Sequence, residues 1–186
     1  MISETDLKLL TKLARKSILS EFSKKSIAEE DIEKLKHLSQ KQGVFVTLHK
    51  NSQLRGCIGF PYPVMPLYKA VIEAAKSAAF SDPRFMPLQE SELDEVKIEL
   101  SVLSVPELIE AKSPGDYLKS IKIGKHGLII KSGYASGLLL PQVPVEQKWG
   151  VKEFLENLCL KAGLAKDEWK NMSNEIYRFT AQIYSE

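Results

Sequence analysis

Residues 43–60 read GVFVTLHKNSQLRGCIGF, two β-prone runs on either side of the polar break His49-Lys50-Asn51-Ser52. That pattern predicts a β-hairpin. Its second arm, LRGCIGF (54–60), sets an arginine and a cysteine among glycines. Simple strand alternation puts Arg55, Cys57 and Gly59 on one face and Leu54, Gly56 and Ile58 on the other, with Arg55 and Cys57 about 7 Å apart at Cα. A permanent cation near a thiol favours the thiolate, the form that nucleophilic and redox chemistry require. Gly56 and Gly59 allow a backbone or a ligand to approach closely. The plainer reading of the same residues is a small buried thiol beside a salt-bridged arginine.

Working outward from the hairpin, Pro61, Pro63 and Pro66 end its second arm, because proline cannot donate to a central ladder. The next segment, LYKAVIEAAKSAAF (67–80), carries Leu67, Val71, Ala74, Ala75 and Ala78 at helical spacing, with alanines small enough for close packing on a sheet. SDPRFMPLQESEL (81–93) reads as a proline-punctuated loop in which Asp82 forms a turn and Arg84 follows two residues later. VKIELSVLSVP (96–106) alternates strictly, Val96, Ile98, Leu100 and Val102 against Lys97, Glu99, Ser101 and Leu103. If that strand pairs near the hairpin, the Glu99 carboxylate meets Arg55. Upstream, Leu7, Leu10, Ala14, Ile18 and Phe22 predict an amphipathic helix over 3–22, and AEEDIEKLKHLSQ (28–40) predicts a weaker one.

A second round follows. SPGDYLKSIKIG (113–124) predicts a turn and a short helical piece, and HGLIIKSGYASGLLLPQ (126–142) a second hairpin with Gly133 to Gly137 in its bend. VPVEQKWG (143–150) reads as a loop in which Gln142, Glu146 and Trp149 offer an amide, a carboxylate and an aromatic plate to a small molecule. KEFLENLCLKAGL (152–164) is an amphipathic helix with Gly163 at its C-terminal cap, and EIYRFTAQIYS (175–185) an alternating closing strand. Both rounds share the order hairpin, proline-containing turn, helix, strand, and the spacing from Gly43 to Cys57 repeats from Gly127 to Pro141. The expected organisation is therefore one domain over 1–186 with two similar sub-halves, about 1–110 and 111–186.

Composition narrows the function. With 26 Lys and Arg against 24 Asp and Glu, the formal charge of +2 gives no electrostatic case for nucleic-acid binding. No apolar stretch approaches a membrane span, and MISETDLKLL has acidic residues where an export signal carries basic ones, so a cytoplasmic protein is expected. Cys57 and Cys159 show no CxxC spacing and His37, His49 and His126 no HxxxH pair, so neither a disulfide framework nor a metal site is expected. The chain lacks GxSxG, GxxxxGK[ST], GxGxxG and HExxH, which removes common hydrolases, nucleotide enzymes and dehydrogenases from the front rank.

Taken in order, LRGCIGFPYPVMPL (54–67), AAFSDPRFMPL (78–88), IELSVLSVPE (98–107), GLLLPQVPVEQKW (137–149) and FLENLCLKAGL (154–164) resemble the AMMECR domain family, also called the AmmeMemoRadiSam system protein A family. The resemblance spans roughly residues 5–185. It implies an α+β fold with two similar halves around a curved, mainly antiparallel sheet, helices packed outside, and a cleft bordered by LRGCIG. It also implies a pathway shared with a radical S-adenosylmethionine (radical SAM) enzyme and a Memo-like protein. The family signature falls on residues 54–59, with further matches at Asp82, Arg84, Phe85, Glu99, Pro141, Gln142, Glu146 and Trp149. GKHGL (124–128) departs from the family, which more often has an acidic residue at His126.

The expected site therefore has Cys57 as nucleophile or redox thiol, Arg55 as anion clamp and Glu99 as acid–base or orienting group. Gly56, Gly59, Asp82, Arg84, Gln142, Glu146 and Trp149 line the cleft. The corresponding function is an enzyme or enzyme subunit acting on a small molecule or a modified side chain. The alternative is a non-catalytic adaptor for the two pathway partners. No cofactor is assigned.

Overall fold

The computed structural model describes residues 2–186, which form six α-helices and two antiparallel four-stranded sheets, an α+β architecture. The strands thus divide between two sheets, where a single curved one is expected. The chain resolves into two compact units, the first made of the residues up to Leu103 together with Gln182–Glu186, the second of Ser104–Ala181.

In the first unit, helix α1 spans Glu4–Ser23 and starts where the Ser3 hydroxyl accepts a hydrogen bond from the Asp6 N–H. This is an N-cap that satisfies one of the free first-turn donors. Its predicted stripe is buried, Leu7, Leu10, Ala14 and Ile18 among it, and Phe22 meets Phe80 edge-on at 5.3 Å between ring centres. The weaker helix shrinks to α2, Glu29–Glu33, and a 3-10 turn at Lys36–Leu38. Strands β1 (Val44–Lys50) and β2 (Gln53–Phe60) make the hairpin, joined by Asn51 and Ser52, both at positive φ. Consecutive left-handed residues give the turn whose twist suits a two-residue hairpin. Helix α3 (Leu67–Phe80) follows, then β3 (Val96–Leu103), which pairs with β1. The sheet order is β2-β1-β3-β8, with β8 at Ala181–Ser185. Helices α1 and α3 cover one face, burying Val44, Val46, Leu48, Ile98 and Leu100 against the alanines of α3. β2 is left as an edge strand.

The second unit contains β4 (Glu107–Leu108), α4 (Pro114–Ser120), β5 (Gly127–Ser132), β6 (Ala135–Leu139), the single turn α5 (Val143–Glu146), α6 (Val151–Lys161) and β7 (Glu175–Phe179). Its sheet order is β4-β7-β5-β6. Phe154, Leu155, Leu158 and Cys159 of α6 are buried with Leu128, Ile130 and Ile176. Gly163, at φ +74, follows the last turn of α6, and the next N–H, of Leu164, returns to the Cys159 carbonyl. That is the left-handed helix end that glycine adopts without steric cost.

Two local expectations change. The second hairpin bends only at Gly133-Tyr134, and Gly137 sits inside β6, because the backbone of α6 packs directly against it. The closing segment is not one strand. At Thr180 the chain leaves one sheet, and its N–H and carbonyl pair with the hydroxyl and N–H of Ser104 rather than with a ladder. The strand is thereby split into β7 and β8, each completing a different sheet.

Candidate functional site around Cys57

The hairpin register decides where Cys57 points. Counted outward from Asn51-Ser52 without interruption, Cys57 would oppose Val46 and turn toward the core. Instead a β-bulge between Leu48 and His49 leaves Arg55 as an extra residue, so that Leu54 opposes His49, Gly56 opposes Leu48, and Cys57 opposes Thr47. A one-residue insertion flips every following side chain to the other face. Gly56 therefore turns inward, where a Cβ would stand 2.2 Å from the Ala78 carbonyl oxygen of α3. Cys57 turns away from the core and remains half-exposed. Gly59, the next residue on its face, lies against Phe45 and the Val44 carbonyl, with no room for a side chain.

The bulge separates Arg55 from the thiol's face. Its Nε and Nη2 donate to the two Glu92 carboxylate oxygens at 3.1 and 2.8 Å, and Nη1 donates to the Met86 carbonyl at 3.0 Å. Lys50 reaches the same carboxylate at 3.2 Å. Arg55, with the Gln89 N–H next in weight, holds Glu92 down to a pKa of about 2. The expected contact of Arg55 with Glu99 is not made. Its guanidinium is committed to the 86–92 loop, a partnership of the kind that bidentate geometry favours.

The cation beside Cys57 is Arg84. Asp82, 4% exposed, accepts from the Cys57 N–H at 2.9 Å and from Arg84 through the backbone N–H (3.1 Å), Nε (2.9 Å) and Nη2 (2.7 Å). Arg84 Nη2 in turn donates to the Cys57 carbonyl at 3.2 Å. The pair thus occupies both outward backbone groups of Cys57 on the edge strand, where a further strand would otherwise bind. Arg84 and the two backbone donors hold the Asp82 carboxyl well below the usual carboxylate range, and Asp82 raises Arg84, with a smaller contribution from Cys57 itself. The Arg84 side chain remains half-exposed, over the Phe85 ring at 5.5 Å.

Across the sheet the register aligns Cys57, Thr47 and Glu99 on one face of three neighbouring strands. The Thr47 hydroxyl donates to Cys57 Sγ at 3.3 Å, and Ser185 of β8 donates to Glu99 Oε2 at 2.8 Å. Two strand spacings separate Cys57 from Glu99, about 10 Å. Beside Glu99 lies a cavity of about 470 Å³ whose lining includes His49, Lys97, Glu99 and Ser185. Gln142, Glu146 and Trp149 belong to the second unit. There Trp149 packs against the cluster around Phe154, Glu146 is exposed on α5, and Gln142 Oε1 is buried without a hydrogen-bond partner. Among the described residues, no group of three or more His, Cys, Asp or Glu side chains is arranged to hold a metal ion.

Comparison with known proteins identifies the family. The AMMECR1 family model matches residues 11–184. The chain belongs to the AMMECR1 family. Similar AMMECR1-type proteins include MK0488 of Methanopyrus kandleri, 51% identical over 95% of this chain and 86% of its own length. Another is NEQ441 of Nanoarchaeum equitans, 49% identical over 95% of this chain and 98% of its own length. The crystal structure of the uncharacterized protein PH0010 from Pyrococcus horikoshii superposes with a TM-score of 0.90 at 44% identity, covering 100% of this chain and 93% of that one.

Sequence reasoning missed Thr47 and Glu92. Glu92 had a signal, since Gln89 and Glu92 form the three-residue spacing of a capping box. Thr47 had none until the bulge was known.

Proposed function

We propose that this AMMECR1 protein is an enzyme, or the subunit of one, that acts on a small molecule or a modified side chain at the outer face of β2, with Cys57 as its nucleophile or redox thiol. The observation that carries the reading is the environment of Cys57. A half-exposed thiol receives a hydroxyl hydrogen bond from Thr47, and the Asp82–Arg84 pair bonds its backbone. The Thr47 hydroxyl and the Asp82–Arg84 pair are the polar groups that the fold sets around this thiol. Arg84, not Arg55, takes the role of the anion-facing cation. Glu99, held by Ser185 beside its cavity, serves as acid–base or orienting group for a substrate that spans about two strands. A shared pathway with a radical SAM enzyme and a Memo-like protein is the biological setting of this proposal.

Mass spectrometry of the native protein, with iodoacetamide labelling followed against pH, tests it. Cys57 is expected to alkylate at neutral pH about tenfold faster than in Arg84→Gln, the scale of one charge-assisted interaction. A bound small molecule is expected to be lost on Cys57→Ser. Equal alkylation rates in the two proteins and full function of Cys57→Ser would sink the thiol role. The adaptor reading draws on Met86 and Val64, apolar side chains 81% and 56% exposed. Mass photometry with the two partner proteins at micromolar concentration, showing no complex, would remove it.

A further inference from the structure

We propose that the second unit carries a binding site for a phosphate group, free or as a monoester, in the cavity beside His126. The cavity has a volume of about 370 Å³, and its lining includes Lys122, Lys125, His126, Arg178, Glu107 and Thr180. Three permanent cations thus face one carboxylate, and that carboxylate reaches Arg178 only at 3.6 Å. The imbalance belongs to this place, since the chain as a whole carries a formal charge of only +2.

The histidine shows how the site is built. His126 is 7% exposed, and its Nδ1 accepts the Lys122 backbone N–H at 3.2 Å across a turn that Gly124, at φ +75, allows. Accepting at Nδ1 leaves the neutral ring its proton at Nε2. Among the described residues Nε2 has no hydrogen-bond partner and is not sealed off, so this donor is open to a ligand in the cavity. Burial lowers the tendency of His126 to protonate, and Arg178, Lys125 and Lys122 act in the same direction. A neutral N–H donor within a cluster of cations suits a doubly charged oxyanion, whose several oxygens accept from different directions. A carboxylate, singly charged and planar, would leave more of that charge uncompensated.

Phosphate is the probe. Titrating inorganic phosphate into the full chain, with the histidine ring followed by ¹H–¹⁵N NMR, should give a saturable shift at His126 Nε2. Arg178→Gln should weaken binding about tenfold, the effect of losing one charge-assisted hydrogen bond. The double variant Lys122→Gln/Lys125→Gln changes two exposed side chains, so it is expected to stay folded and to weaken binding as well. Glycerol 3-phosphate distinguishes the sources. Tighter binding than inorganic phosphate supports a ligand-borne phosphate, and equal binding supports the free ion. No saturable shift up to tens of millimolar of either probe would overturn the proposal, as would equal affinity in the native chain and in the folded double variant. Neither result bears on Cys57, which lies in the other unit.

Discussion

The edge strands β2 and β6 occupy the same place in their respective sheets. Each is the second arm of a hairpin, with the first arm beside it and the strand that follows the helix beyond that, giving β2-β1-β3 in one unit and β6-β5-β7 in the other. Each also carries one glycine pressed against the helix that follows. A Cβ at Gly56 would stand 2.2 Å from the Ala78 carbonyl, and one at Gly137 would stand 2.8 Å from the Ala162 nitrogen and 2.9 Å from the Leu158 carbonyl. The difference lies in what surrounds them. Around β2 are two arginine–carboxylate pairs, Arg55–Glu92 and Arg84–Asp82, and a half-exposed thiol. The cysteine of the second unit, Cys159, is fully buried on α6. The shared glycines are thus requirements of sheet–helix packing, and the charged groups at one edge are additions to it. That contrast separates residues of the fold from candidates for the site.

The largest expected effect concerns the two thiols. Burial pushes Cys159 up to a pKa of about 11, and it is sealed within the helix–sheet core. Its alkylation requires opening of the unit, so native Cys57 is expected to react on the order of 10³-fold faster or more. Intact-mass analysis after timed iodoacetamide exposure, followed by peptide mapping, measures the ratio. Comparable rates would erase the contrast between the units.

The glycines come next. Gly56→Ala forces backbone to move at an edge where α3 is fixed by its buried alanines, and it is expected to cost about 3 kcal/mol. Gly137→Ala meets a longer approach and is expected to cost about 1 to 2 kcal/mol. Urea unfolding of both variants gives the order, and a reversed order would mean that the helix of the second unit is the more rigidly held.

The acid response should belong to the β2 edge. Glu92 and Asp82 both have folded pKa values below their ordinary ones, so their pairs contribute stability that is fully present above the unfolded values. For Glu92 that contribution is withdrawn as pH falls from about 4.5 to about 2, and Asp82 acts in the same sense. The native chain is expected to lose stability through this window. Glu92→Gln should be less stable at pH 7 and show a shallower loss on acidification. An unchanged acid slope in thermal melts from pH 6 to pH 2.5 would assign the acid sensitivity elsewhere.

Much of this could be read from sequence because it is local. The hairpin, α1, α3 and the strict alternation of β3 follow from side-chain periodicity, and the α+β class with them. What escaped depends on pairing at a distance. The break at Thr180 is made by Ser104, far away in the chain. The face of Cys57 depends on a single extra residue at Arg55, and no alternation pattern inside LRGCIGF reveals that its partner strand lacks one. The same bulge sent Arg55 to Glu92 and left Arg84 to attend the thiol. Asp82 and Arg84 were legible as candidates, yet their bonds to the Cys57 backbone required the loop to return to the sheet edge.

The smallest expected effect is the most specific to the site. Thr47→Val keeps the shape of a side chain only 9% exposed but removes the O–H that donates to Cys57 Sγ. It gives the thiol an apolar neighbour and so moves it toward the surroundings of Cys159. One such hydrogen bond is worth about 0.5 to 1 kcal/mol, so its loss should slow alkylation at neutral pH about two- to fivefold. Stability should change little, because the lost hydroxyl is replaced by a methyl in an already buried row. Slower alkylation at unchanged stability would show that Thr47 tunes the thiol rather than the fold. An unchanged rate would assign the hydroxyl to packing alone and leave Arg84 as the group that sets Cys57 apart from its counterpart.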